Sequence, residues 1–443
     1  MRVRNHALDG LRGLAALGVL TLHVWMFTVQ GAHRRDKLVS LLTGELRLGV
    51  VLFFVLSGYL LAGPWVASAL EERPTPRLGR FAVKRAARIV PAYWVAMLGS
   101  FWLLAGTGHA YEVSAGQLPL FAAFGQNYVG AVAGRLDPPM WSLVVEVSFY
   151  AVLPLAGWLL VRCARRGRMV VACAGLAGLG LAWSAAGALL AWPETAMSTL
   201  PTFLPVFACG MAAAALAHRR VPSRASWWAL VVAGAALVCA DAWWHHQGTG
   251  LTGHVVRDLP AALGFAFVVA AVAAHPPAVL SAAPLRGLGT ISYGLYLWHL
   301  PVLLWLRFEG LMASGFVVPW IEVSVLAAAV AYLSWVLVER PVIDAVGRWR
   351  PWTRRVPSFP AELHIKPLPS VASAARRRCP ARVGDVTPCG AARPTASSRE
   401  AVSGGWGPCG RRDSFPSMMQ CNAAPRRAAR KRRGPFVTPL RTG

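Results

Sequence analysis

Apolar residues run in long uncharged stretches from near the N-terminus to about residue 345, separated by short segments rich in Arg, Gly and Pro. Each stretch is long enough to cross a hydrocarbon core of roughly 30 Å as a helix. The pattern predicts ten such helices, at about 10–30, 47–66, 91–108, 140–162, 169–191, 199–217, 226–244, 259–275, 290–307 and 317–338. The first reads as a retained helix and not a cleaved leader. Asp9 and Arg12 interrupt its basic flank, and no small-residue cleavage site follows the apolar run. No period of twenty to fifty residues repeats. Paired Gly/Pro-broken segments in two halves, the sign of an inverted-repeat transporter, are also missing.

Basic residues orient the spans, because Lys and Arg concentrate on the cytoplasmic side. With the N-terminus inside, the inside loops carry Arg73, Arg77, Arg80, Lys84, Arg85 and Arg88, then Arg162, Arg165, Arg166 and Arg168. They continue with Arg219, Arg220 and Arg224, then Arg286, then Arg340, Arg348, Arg350, Arg354 and Arg355. The outside loops hold Arg135, Arg257 and Arg307 singly. One loop dissents, the first outside one, with Arg34, Arg35, Lys37 and Arg47. The expectation is an all-α polytopic membrane domain over 1–350, with about ten helices and both termini cytoplasmic.

Composition changes this picture only at the C-terminus. The chain carries a net charge of +26, of which residues 351–443 supply +14 from 18 Lys and Arg against 4 Asp and Glu. In the first 350 residues the basic positions fall between apolar spans. No basic stripe interleaves with aromatics on a soluble fold, so nucleic acid is not an expected partner. The tail 351–443 is rich in Pro, Ala, Arg, Gly and Ser and poor in large apolar residues. Such a segment buries too little surface to offset its ordering entropy, which predicts cytoplasmic disorder. Cys163, Cys173, Cys209 and Cys239 lie in or at the ends of apolar spans, and Cys379, Cys389, Cys409 and Cys421 in the tail match no common zinc spacing. Neither a disulfide framework nor a metal site is expected.

The chemistry lies in the few ionisable residues within the spans. Arg12 and His23 are eleven residues apart on the first helix. That is close to three turns, so they share a face and are separated by about 16 Å along the axis. Arg12 then sits near the cytoplasmic boundary and His23 near mid-depth, where an ionisable group costs several kcal/mol unless paired or solvated. Glu146 lies in the apolar run Trp141-Ser142-Leu143-Val144-Val145-Glu146, about two turns in from the outer boundary. His299 lies about half-way along Ile291-Ser292-Tyr293-Gly294-Leu295-Tyr296-Leu297-Trp298-His299-Leu300-Pro301. Span counting places His23, Glu146 and His299 at similar depth, which favours a shared polar cavity over three separate structural hydrogen bonds. Lys84, Arg85 and Arg88 form a cationic group at the inner face that suits phosphates of a nucleotide-bearing donor, or anionic lipid. A transporter with a polar path lined by the same residues is the rival reading.

Taken together, the motifs resemble the acyltransferase-3 family of bacterial membrane O-acyltransferases. The resemblance rests on Arg12 with His23, and on Gly49-Val50-Val51-Leu52-Phe53-Phe54-Val55-Leu56-Ser57-Gly58-Tyr59. It also rests on Lys84-Arg85-x-x-Arg88-Ile89-x-Pro91-x-Tyr93-Trp94 and Trp141-Ser142-Leu143-x-x-Glu146-x-x-Phe149-Tyr150. Ser292-Tyr293-x-x-Tyr296-Leu297-x-His299-x-Pro301 and Glu339-Arg340-Pro341 complete the set, in family order, over about residues 6–345. Val51 departs from the pattern, since many members carry a polar residue there. The resemblance implies transfer of an acyl group, acetyl or another short one, from acyl-CoA at the plasma membrane to a hydroxyl. The acceptor class it implies is a cell-surface glycan or a glycosylated small molecule such as a macrolide. On this reading His23 is the general base, because a neutral imidazole suits that task near working pH. Glu146 fixes its tautomer or the acceptor, Arg12, Arg85 and Arg88 bind donor phosphates or align the thioester, and Tyr296 and His299 shape the acceptor side. No hydrophilic hydrolase-type domain follows the last helix, which favours a stand-alone enzyme.

Overall fold

The structure is a computed structural model that describes residues 5–29, 37–164, 167–219, 222–246, 255–256 and 258–348. The tail 351–443, with its expected disorder and its boundary at 350, lies outside the described residues, as do Arg34, Arg35 and Arg257. Among the described residues every regular element is helical. The helices are α1 (His6–Thr28), α2 (Lys37–Gly44), α3 (Leu48–Leu70), α4 (Leu78–Leu104), α5 (Leu118–Ala122), α6 (Trp141–Ala164) and α7 (Met169–Leu189). They continue with α8 (Glu194–Met197), α9 (Leu200–Ala217), α10 (Arg224–His246), α11 (Leu259–Ala274), α12 (Ala283–Phe308), α13 (Val317–Ser334) and α14 (Arg340–Arg348). A π-helical turn, Trp335–Glu339, joins α13 to α14.

Each of the ten expected stretches is occupied by a helix. Eight helical runs among the described residues are long and apolar enough to cross a membrane. The other two expected spans fall short for different reasons. Helix α11 has only 16 residues. Helix α12 is long enough at 26 residues, but Ser292, Tyr293, Tyr296, His299 and Pro301 dilute its apolar character. Large apolar side chains face outward around the bundle, among them Trp102, Leu155, Val171, Leu189 and Leu337, each more than half exposed. A water-soluble protein would not leave such a belt uncovered, whereas lipid tails cover it at no cost. The chain is a multi-pass membrane protein.

Local chemistry sets two boundaries that hydropathy missed. Helix α4 begins at Leu78, thirteen residues before the apolar run, because Arg80, Lys84, Arg85 and Arg88 are good helix formers with no breaker among them. The basic segment expected as a loop is therefore helical. Helix α1 starts where the Asn5 side chain accepts from the Ala7 N–H at 3.1 Å.

Glycines let the helix pairs that carry the site approach closely. On α1 and α12, a Cβ on Gly13 would lie 2.9 Å from the Gly289 nitrogen, and one on Gly289 only 2.0 Å from the Asp9 carbonyl oxygen. On α3 and α9, a Cβ on Gly58 would meet the Phe207 carbonyl oxygen at 2.3 Å, and one on Gly210 the Val55 carbonyl oxygen at 2.1 Å.

The dissenting Arg47 is not a free loop charge. It is largely covered at the start of α3, bonded to Asp258 and within 3.5 Å of Asp241 and 3.1 Å of Glu45. Its charge is neutralised inside the bundle, so it does not bear on the orientation of the loop.

Candidate active site

Helices α1 and α12 run parallel and in register. Ten residues beyond the Gly13–Gly289 contact on each helix, His23 and His299 meet. His299 Nε2 lies 3.1 Å from His23 Nδ1, and the ring centroids are 4.9 Å apart. Both imidazoles are buried.

The surrounding carbonyls decide where the protons sit. His299 Nδ1 is 2.7 Å from the Tyr296 carbonyl and 3.2 Å from that of Leu295. Carbonyl oxygens only accept, so this nitrogen carries the hydrogen and His299 Nε2 is a lone-pair acceptor. His23 Nδ1 lies 2.8 Å from the Val19 carbonyl as well as 3.1 Å from His299 Nε2. Both neighbours are acceptors, so His23 Nδ1 is also protonated and shares its hydrogen between them. The remaining atom, His23 Nε2, is left with its lone pair. The network thus presents one basic nitrogen, aimed away from the pair.

Tyr296 continues the polar chain. Its hydroxyl is 2.7 Å from Ser142 Oγ and donates to the Pro139 carbonyl at 3.0 Å. Its ring lies 5.8 Å from that of His299.

Glu146 does not bond to either histidine. Its Oε1 accepts from Ser57 Oγ at 2.7 Å and from the Tyr150 hydroxyl at 2.6 Å. It is an electrostatic neighbour of Tyr296 on one side and of Arg12 and Arg85 on the other. Span counting put Glu146 level with His23, but sequence alone could not say which side chains would face it. The tautomer of His23 is set by main-chain carbonyls and His299, without Glu146.

The arginines form the second group. Arg12 and Arg85 are both electrostatic neighbours of Arg88. The Arg85 guanidinium lies 5.8 Å from the Phe81 ring centroid and 5.9 Å from that of Tyr150. The Nε atoms of Arg12 and Arg85 are buried and have no hydrogen-bond partner. Lys84, one position away on α4, points outward and is exposed. Glu339 in the π turn is 1% exposed, neighbours Arg88, and has neither carboxylate oxygen hydrogen-bonded. Like-charged guanidiniums drawn together with unused donors are suited to an anion with several oxygens.

The structure therefore divides the expected residues into a histidine group (His23, His299, Tyr296) and an arginine group (Arg12, Arg85, Arg88), with Glu146 between them. Three contributors escaped sequence reasoning. Ser57 stood inside a recognisable motif, but a hydroxyl in an apolar run gives no hint of a partner on another helix; for Tyr150 the i,i+4 spacing from Glu146 on one helix was the available signal. Glu339 stood in the closing Glu-Arg-Pro motif, where a helix end is an ordinary place for a charge. Among the described residues no group of three or more His, Cys, Asp or Glu is arranged to hold a metal ion.

The chain is 28% identical over 364 residues to nodulation protein 10 of Rhizobium leguminosarum, covering 76% of this chain and 92% of that protein. It is 27% identical over 371 residues to a putative membrane-bound transacylase of Komagataeibacter xylinus, covering 78% and 84%. A peptidoglycan O-acetyltransferase of Listeria monocytogenes is 24% identical over 337 residues, covering 67% of this chain and 49% of that protein. No solved structure matches. The profile of the family described as "Acyltransferase domain" matches residues 5–339, which contain every residue of both groups. The chain is a membrane-bound acyltransferase and belongs to the acyltransferase-3 family.

Proposed function

We propose that the protein moves a short acyl group from acyl-CoA to a hydroxyl of a carbohydrate-type acceptor at the plasma membrane, with both termini cytoplasmic. The observation that carries this reading is the histidine pair, which leaves one basic nitrogen, His23 Nε2, about 16 Å along α1 from the arginine that opens a cationic group. The two groups match the two ends of such a donor. Its phosphates engage Arg12, Arg85 and Arg88, and its pantetheine arm reaches towards His23. The names of the relatives, a peptidoglycan O-acetyltransferase among them, support a glycan as acceptor.

In the proposed step His23 Nε2 takes the proton of the acceptor hydroxyl as its oxygen attacks the thioester carbonyl carbon. The new C–O bond forms, the C–S bond breaks, and the imidazolium returns the proton to the departing thiolate. The imidazolium formed at His23 donates from Nδ1 to Val19 and His299, which stabilises the charge where it develops. Glu146, held by Ser57 and Tyr150, sets the electrostatic level between donor and acceptor groups. General-base assistance contributes typically 10²–10⁴-fold. His23→Ala in folded, membrane-inserted protein therefore lowers acyl transfer from acetyl-CoA by about that factor. Transfer at the wild-type rate would remove His23 from the base role.

A further inference from the structure

The loop 105–140, between α4 and α6, buries a carboxyl that the mechanism above does not use. Asp137 is 1% exposed, and neither of its carboxylate oxygens has a hydrogen-bond partner. It stands at the N-terminus of the 3-10 turn Pro138–Met140, where an Asp ordinarily caps backbone N–H groups. The next two residues are prolines and have no N–H to offer. The side chain makes no cap bond there. The preceding Leu136 is fully buried with φ +62°, a left-handed conformation unusual for a bulky residue. Burial without a partner pushes the Asp137 carboxyl well above the usual range.

A second orphan shares a neighbour, Tyr93, with it. Gln126 is 2% exposed, and its Oε1 also has no partner, while its Nε2 donates to the Tyr93 hydroxyl at 3.2 Å. Asp137 and Gln126 are both neighbours of Tyr93. Asp137 is an electrostatic neighbour of Tyr296 as well, the residue whose carbonyl holds His299 Nδ1 at 2.7 Å. Buried acceptor oxygens left unmatched are costly, and native proteins rarely keep several together without a use.

We infer that Asp137 and Gln126 form an acceptor subsite that binds two neighbouring hydroxyls of a neutral sugar ring, beyond Tyr296 from the histidine pair. This rests on the carbohydrate reading of the acceptor given above. The neutral Asp137 carboxyl offers one donor and one acceptor, and Gln126 Oε1 a further acceptor, none of them partnered; a sugar diol brings two O–H groups on adjacent carbons to meet them. Carbonyl and carboxyl oxygens left unpaired discriminate strongly against a ligand that lacks the matching donors. A uronic acid is disfavoured, because burying its carboxylate among buried side chains costs more than burying a neutral hydroxyl. The placement beside Tyr296 lets a glycan held here offer a further hydroxyl towards His23.

The test uses the full chain in lipid nanodiscs with acetyl-CoA, a neutral gluco-oligosaccharide and a glucuronic-acid oligosaccharide. Wild type favours the neutral acceptor, by about tenfold or more in kcat/KM. Asp137→Ala raises KM for the neutral acceptor about tenfold or more while KM for acetyl-CoA stays within about twofold, and Asp137→Asn, which keeps a donor and an acceptor, stays closer to wild type. Arg135→Ala, an exposed neighbour on the same loop, leaves both KM values unchanged. Normal acceptor KM in folded Asp137→Ala overturns the subsite, as does a parallel rise in both KM values. Wild type that consumes acetyl-CoA but acylates neither sugar overturns the sugar assignment. Wild type that leaves acetyl-CoA intact refutes the donor reading instead. Equilibrium binding of the neutral oligosaccharide to wild type and Asp137→Ala then decides the subsite alone, with equal affinity overturning it.

Discussion

Replacing His299 by Phe removes one acceptor and keeps a planar ring at the buried position, although a somewhat larger one. In the resting protein the His23 Nδ1 hydrogen is shared between Val19 at 2.8 Å and His299 at 3.1 Å. In the variant Val19 alone holds it, so the tautomer survives and His23 Nε2 stays basic. The loss comes later, when His23 becomes an imidazolium and one of its two acceptors is missing. A hydrogen bond to a charged group is worth about 1.5–3 kcal/mol, and each 1.36 kcal/mol is a factor of ten in rate. His299→Phe should therefore lower kcat by about ten- to 150-fold and leave KM for acetyl-CoA within about twofold. His23→Ala should lower kcat further, and the double variant should resemble His23→Ala, because residues acting as one unit are not additive. The measurement is single-turnover acyl transfer in nanodiscs, with folding checked by thermal melting. A His299→Phe rate within twofold of wild type refutes the stabilising role of His299. A loss equal to that of His23→Ala, with normal melting, moves the base to His299.

Other consequences follow from packing and charge. Gly58→Leu or Gly210→Leu forces a side chain into a backbone carbonyl 2.1–2.3 Å from the new Cβ, so each should destabilise the α3–α9 pair by about 1–3 kcal/mol or more, read as a lower melting temperature in detergent. Arg47→Met strips the cation from Asp258, Asp241 and Glu45 and should cost about 3–5 kcal/mol, the usual penalty for leaving buried charge uncompensated, whereas unchanged melting would show the cluster to be solvated. Asp137 carries a folded-state pKa raised above its unfolded value, so its favourable contribution is present below the unfolded pKa and is lost as pH rises through the folded one. Asp137→Asn should therefore raise the melting temperature at neutral pH and lose that advantage near pH 4, the unfolded carboxylate range; a constant difference across pH would contradict the burial argument. Arg12→Ala and Arg85→Ala should each raise KM for acetyl-CoA more than they lower kcat at saturation, and an effect on kcat alone would exclude phosphate binding.

Helices were legible in the chain because hydropathy and helix propensity are local properties. A run of twenty apolar residues declares itself without reference to anything else. The eleven-residue interval from Arg12 to His23 was equally legible, since helix geometry alone puts both on one face. Hydropathy puts the basic start of α4 in a loop, because it reports where a segment meets lipid and not where its hydrogen bonds begin. Partners, by contrast, are decided between helices. Only close packing of α1 on α12 through Gly13 and Gly289 places His23 against His299 and gives Nε2 its lone pair. Only the α3–α6 contact brings Ser57 to Glu146, whose other partner, Tyr150, lies one turn along the same helix. Asp137, which sequence presents as a turn residue before two prolines, becomes a buried orphan solely through the fold of its loop. Composition and spacing determine what must be buried, and tertiary structure alone determines which groups share the same enclosure, because no sequence interval encodes a distance across helices.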